Sequence, residues 1–128
     1  MKVYLSGPIT SDPDGFEQHF AHAANYFRNS GWIVTNPALP SNCPEELGDG
    51  TEFVWSEDAW VAYLANDVRE LAKGSYTHIA LLNSWQQSSG ALVELGVASK
   101  LGLKVLLESE NFATEHTVTE VLFGHAHS

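Results

Sequence analysis

The chain is poor in cysteine and has no long apolar run. Its one cysteine, Cys43, in 128 residues excludes an internal disulfide. No apolar stretch approaches the roughly 18 to 20 residues that a membrane-spanning helix needs. The first residues enter a strand-like run directly, without a charged leader and apolar signal core. We therefore expect a cytoplasmic protein that makes no membrane contact.

Basic residues are also scarce. Lys and Arg number 6 against 16 Asp and Glu, which gives a formal net charge of −10. No segment clusters basic side chains in a way that could follow a polyanion, so polymeric nucleic acid is not an expected partner. A small anionic ligand is still compatible with this charge, because a helix N-terminus can hold phosphate through its backbone N–H groups.

The remaining composition is that of a packed globular protein. Apolar residues make up 44% and charged residues 17% of the chain. The length matches one ordinary domain with one core. We therefore expect residues 1–128 to form a single domain.

The first part of the sequence predicts a strand, a helix and a second strand. Residues 2–6 form a short apolar run that is halted by Gly7-Pro8. Apolar residues then recur at spacings of three and four over residues 15–30, as in an amphipathic helix. Residues 32–36 are again β-rich. A crossover helix between two strands implies that the strands are parallel.

The rest of the chain continues this alternation after an aperiodic connection over residues 37–56, a length typical of lids and binding loops. The predicted elements that follow are a helix at 57–73, a strand at 77–82, a helix at 90–101, a strand at 105–107 and a short helix at 114–123. The order predicts an α/β fold, a doubly wound parallel sheet of four to five strands of flavodoxin-like or Rossmann-like architecture.

Glu94 is the first candidate for chemistry. Ligands of open parallel sheets bind outside the carboxyl ends of the strands, where the loops at 6–10 and 83–89 must lie. The second loop leads into a helix, and Glu94 stands among apolar neighbours about one turn inside it. The positive helix end would favour the ionised carboxylate that a nucleophile needs. The alternative from spacing alone is a solvated or capping acid.

Asp67 is the second candidate. It lies in the middle of the preceding predicted helix, one residue from the apolar stripe, and the pattern alone favours a surface acid. Paired with Glu94 it has another interpretation. Two carboxylates around a sugar can divide the nucleophile and acid roles, as in glycoside hydrolysis.

Aromatic residues and histidines give weaker signals. Trp55 and Trp85 are candidates for stacking on a base, whereas Trp60 lies on an apolar stripe and is expected in the core. His19 and His22 share a helical face, but a metal site would need a third ligand. We expect solvated histidines, and neither a metal nor a cofactor.

Four segments together resemble a known family. The segments are VYLSGPI at 3–9, ND at 66–67, SSGALVELGVA at 88–98 and LGLKV at 101–105. In this order they resemble the nucleoside 2-deoxyribosyltransferase-like superfamily, and most of all its small phage-type members and the 2′-deoxynucleoside 5′-phosphate N-hydrolases. The resemblance covers residues 2–107, except for the connection at 37–56.

The resemblance implies a role for three residues. Glu94 matches the nucleophile that attacks the sugar carbon C1′ and forms a glycosyl ester. Asp67 matches the acid that assists departure of the nucleobase, and Tyr4 matches the tyrosine that orients the nucleophile.

Ser88 points to the kind of substrate. The transferases that act on free nucleosides have an aspartate six residues before the catalytic glutamate, whereas the 5′-phosphate hydrolases resemble this chain in having serine. A hydroxyl at a helix N-terminus can donate to a phosphate that a carboxylate would repel. The residues expected to contact the substrate are Ser6, Gly7, Pro8, Ile9, Ser88, Gly90 and Trp55.

The sequence therefore predicts an N-glycosidase that acts on 2′-deoxynucleoside 5′-monophosphates. Transfer of deoxyribose to a second base is an open alternative, and so is a nucleotide-binding or sensing module of the same fold without chemistry. The resemblance also implies a homo-oligomer, a dimer or larger.

Overall fold

The computed structural model describes residues 1–9, 14–37 and 57–123, with the backbone alone for residues 57–63. The elements are β1 (Lys2–Ser6), α1 (Phe16–Asn29), β2 (Ile33–Thr35), α2 (Glu57–Lys73), β3 (His78–Leu81), α3 (Ser89–Leu101), β4 (Lys104–Leu107) and α4 (Val118–Phe123). Short 3₁₀ turns at Trp85–Gln87 and Glu108–Glu110 follow β3 and β4. None of the described helices is long and apolar enough to cross a bilayer.

The four strands form one parallel sheet in the order β2-β1-β3-β4. Leu5 of β1 is in register with Ala80 of β3, and Ile79 of β3 is in register with Val105 of β4. The chain thus moves from β1 to β2 on one side and later to β3 on the other. This reversal places the topological switch point at the carboxyl ends of β1 and β3, and the predicted doubly wound α/β fold is confirmed.

Helices cover both faces of the sheet. Val3 and Leu5 of β1 pack against the apolar face of α1, which carries Phe20 and Phe27. Tyr4, which points to the opposite face, belongs to the second core cluster with residues of α2 and α3. Because side chains of a strand alternate between its faces, Ser6 lies on the same face as Tyr4. The α2–α3 layer therefore packs over the side of β1 that carries both hydroxyls.

Gly7 lets the ends of β1 and β3 approach each other. The backbone N–H of Leu82 donates to the carbonyl of Ser6 at 2.8 Å. A Cβ added to Gly7 would lie only 2.8 Å from Cβ of Leu82, which is closer than two carbon atoms can pack. The glycine after β1 is therefore required by this contact.

The prediction of the last helix was wrong at its start, because α4 begins at Val118 and not at residue 114. His116 and Val105 instead exchange backbone hydrogen bonds of 2.8 and 2.9 Å in an antiparallel bridge. Thr117 and Glu120 then form a capping box, with side-chain contacts of 3.1 and 3.2 Å to each other's backbone N–H. These two features hold residue 116 in extended backbone and start the helix after Thr117.

Candidate active site

Glu94 is buried at the carboxyl end of β1. Its side chain comes from α3 and is 5% exposed, so the alternative of a solvated or capping acid is wrong. Oε1 accepts a hydrogen bond from the Ser6 hydroxyl at 2.6 Å, and Oε2 accepts one from the Tyr4 hydroxyl at 2.7 Å. Both donors lie on the face of β1 that α2 and α3 cover. Each carboxylate oxygen of Glu94 therefore accepts a hydrogen bond from a side chain of the sheet.

Asp67 is buried beside Glu94. It is 5% exposed, and the surface position that the pattern alone favours is wrong. The reason is tertiary: α2 packs against α3, and its Leu71 belongs to the core cluster that contains Tyr4 and Ile79 of the sheet. Burial raises the pKa of Asp67, and the nearby charges of Glu94 and Glu70 raise it further. Asp67 is therefore a carboxylic acid that keeps its proton far above the ordinary range.

The pKa of Glu94 is also raised, but two hydroxyls oppose the shift. Burial is the largest cause, and the hydrogen bonds from Ser6 and Tyr4 lower the pKa because they stabilise the ionised form. The expectation that the helix end would favour ionisation was wrong. Glu94 lies in the second turn of α3, whereas the influence of the helix dipole fades within the first turn.

These two buried carboxyl groups act as a pair. Two negative charges that interact in a buried site are unfavourable, so the pair holds one proton between the two raised pKa values, about 7 for Glu94 and about 9 for Asp67. The pKa of Asp67 is the higher of the two, and the hydroxyls of Tyr4 and Ser6 favour the charge on Glu94. The site thus offers one ionised carboxylate and one neutral acid side by side.

The start of α3 has the chemistry expected of an anion-binding helix end. Ser88 is the N-cap, and its side-chain oxygen accepts a hydrogen bond from the N–H of Ala91 at 3.2 Å. The first N–H groups of a helix have no acceptor within it. At Gly90 an added Cβ would lie 3.8 Å from Leu64, which is an ordinary contact, so packing does not require glycine there.

The other residues expected to bind the substrate have varied surroundings. Ser6 donates its one hydroxyl proton to Glu94, so that proton is not available to a phosphate in this arrangement. Gly7 and Pro8 are buried. Ile9 packs, half buried, against the core cluster on the α1 side of the sheet. Trp55 lies outside the described residues.

Trp85 is a core residue. It is 9% exposed and packs in the cluster that contains Ala91 and Leu95. Its predicted alternative role in stacking on a base is therefore wrong. The side chain of Trp60 is not among those described, so its predicted place in the core stays a prediction.

A cavity of about 340 Å³ adjoins Asp67. It lies between the end of β2 and α2, and its lining residues are Thr35, Pro37, Asn66, Asp67, Arg69, Glu70 and Lys73. The hydroxyl of Tyr76 lies 2.7 Å from Oγ1 of Thr35 and 2.8 Å from Oε2 of Glu70. Sequence reasoning missed Thr35, Glu70 and Tyr76. The available signal was the spacing of Asp67 and Glu70, which places both on one side of α2.

The histidines do not form a metal site in the described part of the chain, where no group of three or more potential ligands occurs. His22 is exposed, as expected. His19 is not simply solvated, because its Nε2 lies 2.7 Å from Oε1 of Glu108. The same oxygen accepts a hydrogen bond from the N–H of Asn83 at 2.8 Å, so this contact joins α1 to the loops after β3 and β4.

Comparison with known proteins identifies the family. Residues 1–107 match the model of a family described as a domain of unknown function, DUF4406. The chain belongs to this family. No curated protein matches its sequence. In this DUF4406 member the matched segment contains β1 to β4 and all of the site residues described above.

Two solved structures match this chain in a structural comparison. The 2-deoxyribosyltransferase from Bacillus psychrosaccharolyticus has a TM-score of 0.58 and 22% identity, over 84% of this chain and 71% of that one. The CMP N-glycosidase BcmB of Clostridium botulinum has a TM-score of 0.48 and 18% identity, over 100% of this chain and 83% of that one. The first similarity shows that this DUF4406 chain shares its fold with a 2-deoxyribosyltransferase.

Proposed function

We propose that this protein cleaves the bond between base and sugar in a 2′-deoxynucleoside 5′-monophosphate through a covalent intermediate on Glu94. The observation that carries the proposal is the pair of buried carboxyl groups. Glu94 accepts hydrogen bonds from Tyr4 and Ser6, and Asp67 beside it has the higher pKa. One acid and one nucleophile in one site are what glycosyl chemistry requires.

The first step forms a glycosyl ester. An oxygen of ionised Glu94 attacks C1′ while the bond from C1′ to the base nitrogen breaks and its electron pair leaves with the base. Asp67 donates its proton to the departing base, so the base leaves neutral. Each carboxylate oxygen of Glu94 has two lone pairs, and one remains for attack while the other accepts from Tyr4 or Ser6.

The second step releases the sugar. Asp67, now ionised, accepts a proton from a water molecule whose oxygen attacks C1′. The ester bond to Glu94 breaks, Glu94 is ionised again and Asp67 is protonated again. If the ring nitrogen of a second base attacks in place of water, the same intermediate yields a new nucleotide. Hydrolysis and transfer thus share every residue in this proposal.

The start of α3 supports a phosphorylated substrate. Glu94 and Ser88 belong to the same end of one helix, so a ligand with C1′ at Glu94 can extend its 5′ side toward that helix end. Unpaired N–H groups there suit a phosphate. The serine at position 88, in place of the aspartate of the transferases that act on free nucleosides, supports the same assignment.

The test is release of free base from nucleosides and their 5′-monophosphates, followed by chromatography, with and without an added second base. Wild-type protein is expected to release base faster from the monophosphates. Glu94→Gln is expected to lose the activity and to keep its fold, whereas Glu17→Gln, an exposed position on α1, serves as the matched control. Wild-type rates in Glu94→Gln would exclude the covalent route. Nucleotide binding without any release would favour the sensing module.

A further inference from the structure

The cavity beside Asp67 has a wall that can discriminate between bases. We propose that this cavity holds the nucleobase and that Glu70, positioned by Tyr76, selects bases that carry an exocyclic amino group. This inference rests on the proposed function. It assigns the substrate class of that function, and it gives a specificity role to Glu70, which forms no bond and transfers no proton in the glycosyl steps.

The position of the acid places the base in the cavity. In a displacement at C1′ the nucleophile and the leaving group lie on opposite sides of the carbon, and the acid must reach the leaving base. Asp67 is that acid in the proposed reaction, and Asp67 lines the cavity. A volume of about 340 Å³ is at the lower end of the range for small-molecule pockets. A single base fits such a space.

The cavity wall beyond Asp67 presents hydrogen-bond acceptors. A phenol has one proton, so Tyr76 donates it to the carboxylate of Glu70 and accepts from the hydroxyl of Thr35. The ring of Tyr76 is fixed in turn, because it is 7% exposed and packs edge-on against Tyr4 at 5.4 Å between centroids. Glu70 is thus held in one orientation, with acceptor sites left for a ligand.

An acceptor wall prefers an amino group to a carbonyl group. The amino groups of cytosine, adenine and guanine are donors, whereas O4 of thymine or uracil is an acceptor. An amino group can donate to Glu70, but a carbonyl oxygen at the same place would face a carboxylate with no proton between them. The discrimination therefore follows from the protons that each partner carries.

The rival occupant of the cavity is the phosphate. Arg69 and Lys73 also line it, both are exposed, and neither forms an ion pair with another residue of the described segments. Their charges would attract a phosphate. Glu70 lines the same cavity, is half buried and carries a negative charge, which disfavours a phosphate inside the cavity. The exposed side chains of Arg69 and Lys73 lie at the rim of the cavity.

The decisive comparison uses dCMP and dUMP, which differ at C4 by an amino group and a carbonyl oxygen. We expect kcat/KM for base release to be at least about fivefold higher for dCMP, which is the lower end of the roughly 5-fold to 150-fold that a good bidentate contact to a base edge is worth. Glu70→Gln can present both a donor and an acceptor, so it is expected to reduce the ratio to about threefold or less. Glu17→Gln on α1 is the control and should keep the wild-type ratio.

Several results would overturn the inference. Equal rates on dCMP and dUMP would do so, and so would an unchanged ratio in Glu70→Gln that folds normally by circular dichroism. Loss of the preference for phosphorylated substrates in the double variant Arg69→Gln and Lys73→Gln would put the phosphate in the cavity instead. Retention of that preference in the double variant would support the base as the occupant of the cavity.

Binding separates this inference from the proposed function. Calorimetry of Glu94→Gln with dCMP and dUMP measures selection without turnover. Tighter binding of dCMP that depends on Glu70, with no base released by wild-type protein, would keep the cavity assignment and reject the glycosyl chemistry. Base release at equal rates from both nucleotides, with equal binding, would reject the cavity assignment and keep the chemistry.

Discussion

Replacing Tyr4 by phenylalanine tests which of the two buried carboxyl groups, Glu94 or Asp67, carries the proton. The substitution removes the hydroxyl that donates to Oε2 of Glu94 at 2.7 Å and keeps the ring, which is fully buried in the core. Without this donor the ionised form of Glu94 loses one of its two hydroxyl partners, and only Ser6 still opposes the effect of burial. We expect the pKa of Glu94 to rise.

The size of the rise follows from the strength of the bond. A hydrogen bond to a charged group contributes about 1.5 to 3 kcal/mol. One pH unit corresponds to about 1.4 kcal/mol, so the pKa of Glu94 should increase by roughly one to two units. Since Glu94 must be ionised to attack, the acidic limb of the pH profile should move upward by the same amount.

The assay is the pH dependence of kcat/KM for base release by wild type and Tyr4→Phe. Tyr26→Phe is the matched control, because its exposed hydroxyl contacts the carbonyl of Asn111 on the α1 side. Carbon-13 NMR of labelled glutamate, with Glu94 assigned from Glu94→Gln, measures the same pKa without turnover. An acidic limb and a Glu94 resonance that stay in place, or move to lower pH, would refute the reasoning.

Other expectations follow from the same geometry. Base release should rise through about pH 7 as Glu94 ionises and fall again near about pH 9 as Asp67 loses its proton, and a single sigmoid in the pH profile of kcat/KM would contradict this. Both carboxyl groups bind protons more tightly when folded than when unfolded, so unfolding should become easier as pH rises from about 4 toward 9. Asp67→Asn should therefore raise Tm at pH 8 in a thermal-shift assay, and an unchanged or lower Tm would argue against a buried acid. Gly7→Ala should cost about 1 to 3 kcal/mol in urea unfolding, because its Cβ would clash with Leu82, whereas Gly90→Ala, which has room, should be nearly neutral. The predicted homo-oligomer is tested by analytical ultracentrifugation, in which the sedimentation of a 14.0 kDa monomer would contradict the prediction.

The order of the elements could be predicted from the sequence because each has its own local pattern. The run at residues 2–6 became β1 without change, and the helical spacing over residues 57–73 became α2. The last helix was placed too early, because the bridge between His116 and Val105 is a tertiary contact. The capping box of Thr117 and Glu120 was a local signal that could have corrected it.

The candidate site was predictable only in part. Glu94 could be singled out because a carboxylate among apolar residues is unusual. Asp67 could be named through the resemblance, but its burial depends on how α2 packs against α3, which no periodicity within α2 encodes. The expectation that ionisation of Glu94 would be favoured was wrong in direction, since burial raises its pKa more than the two hydroxyls from β1 lower it.

The sequence by itself determined the alternation of strands and helices and the parallel sheet, because these follow from local periodicity and from the handedness of the connections. From that order it predicted the carboxyl edge as the place for a ligand. The tertiary structure alone decided which groups meet. Tyr4 and Glu94 are 90 residues apart and Thr35 and Tyr76 are 41 apart, yet each pair shares a hydrogen bond. The charge of a buried carboxyl group depends on such neighbours and on lost water, and both exist only once the layers have packed.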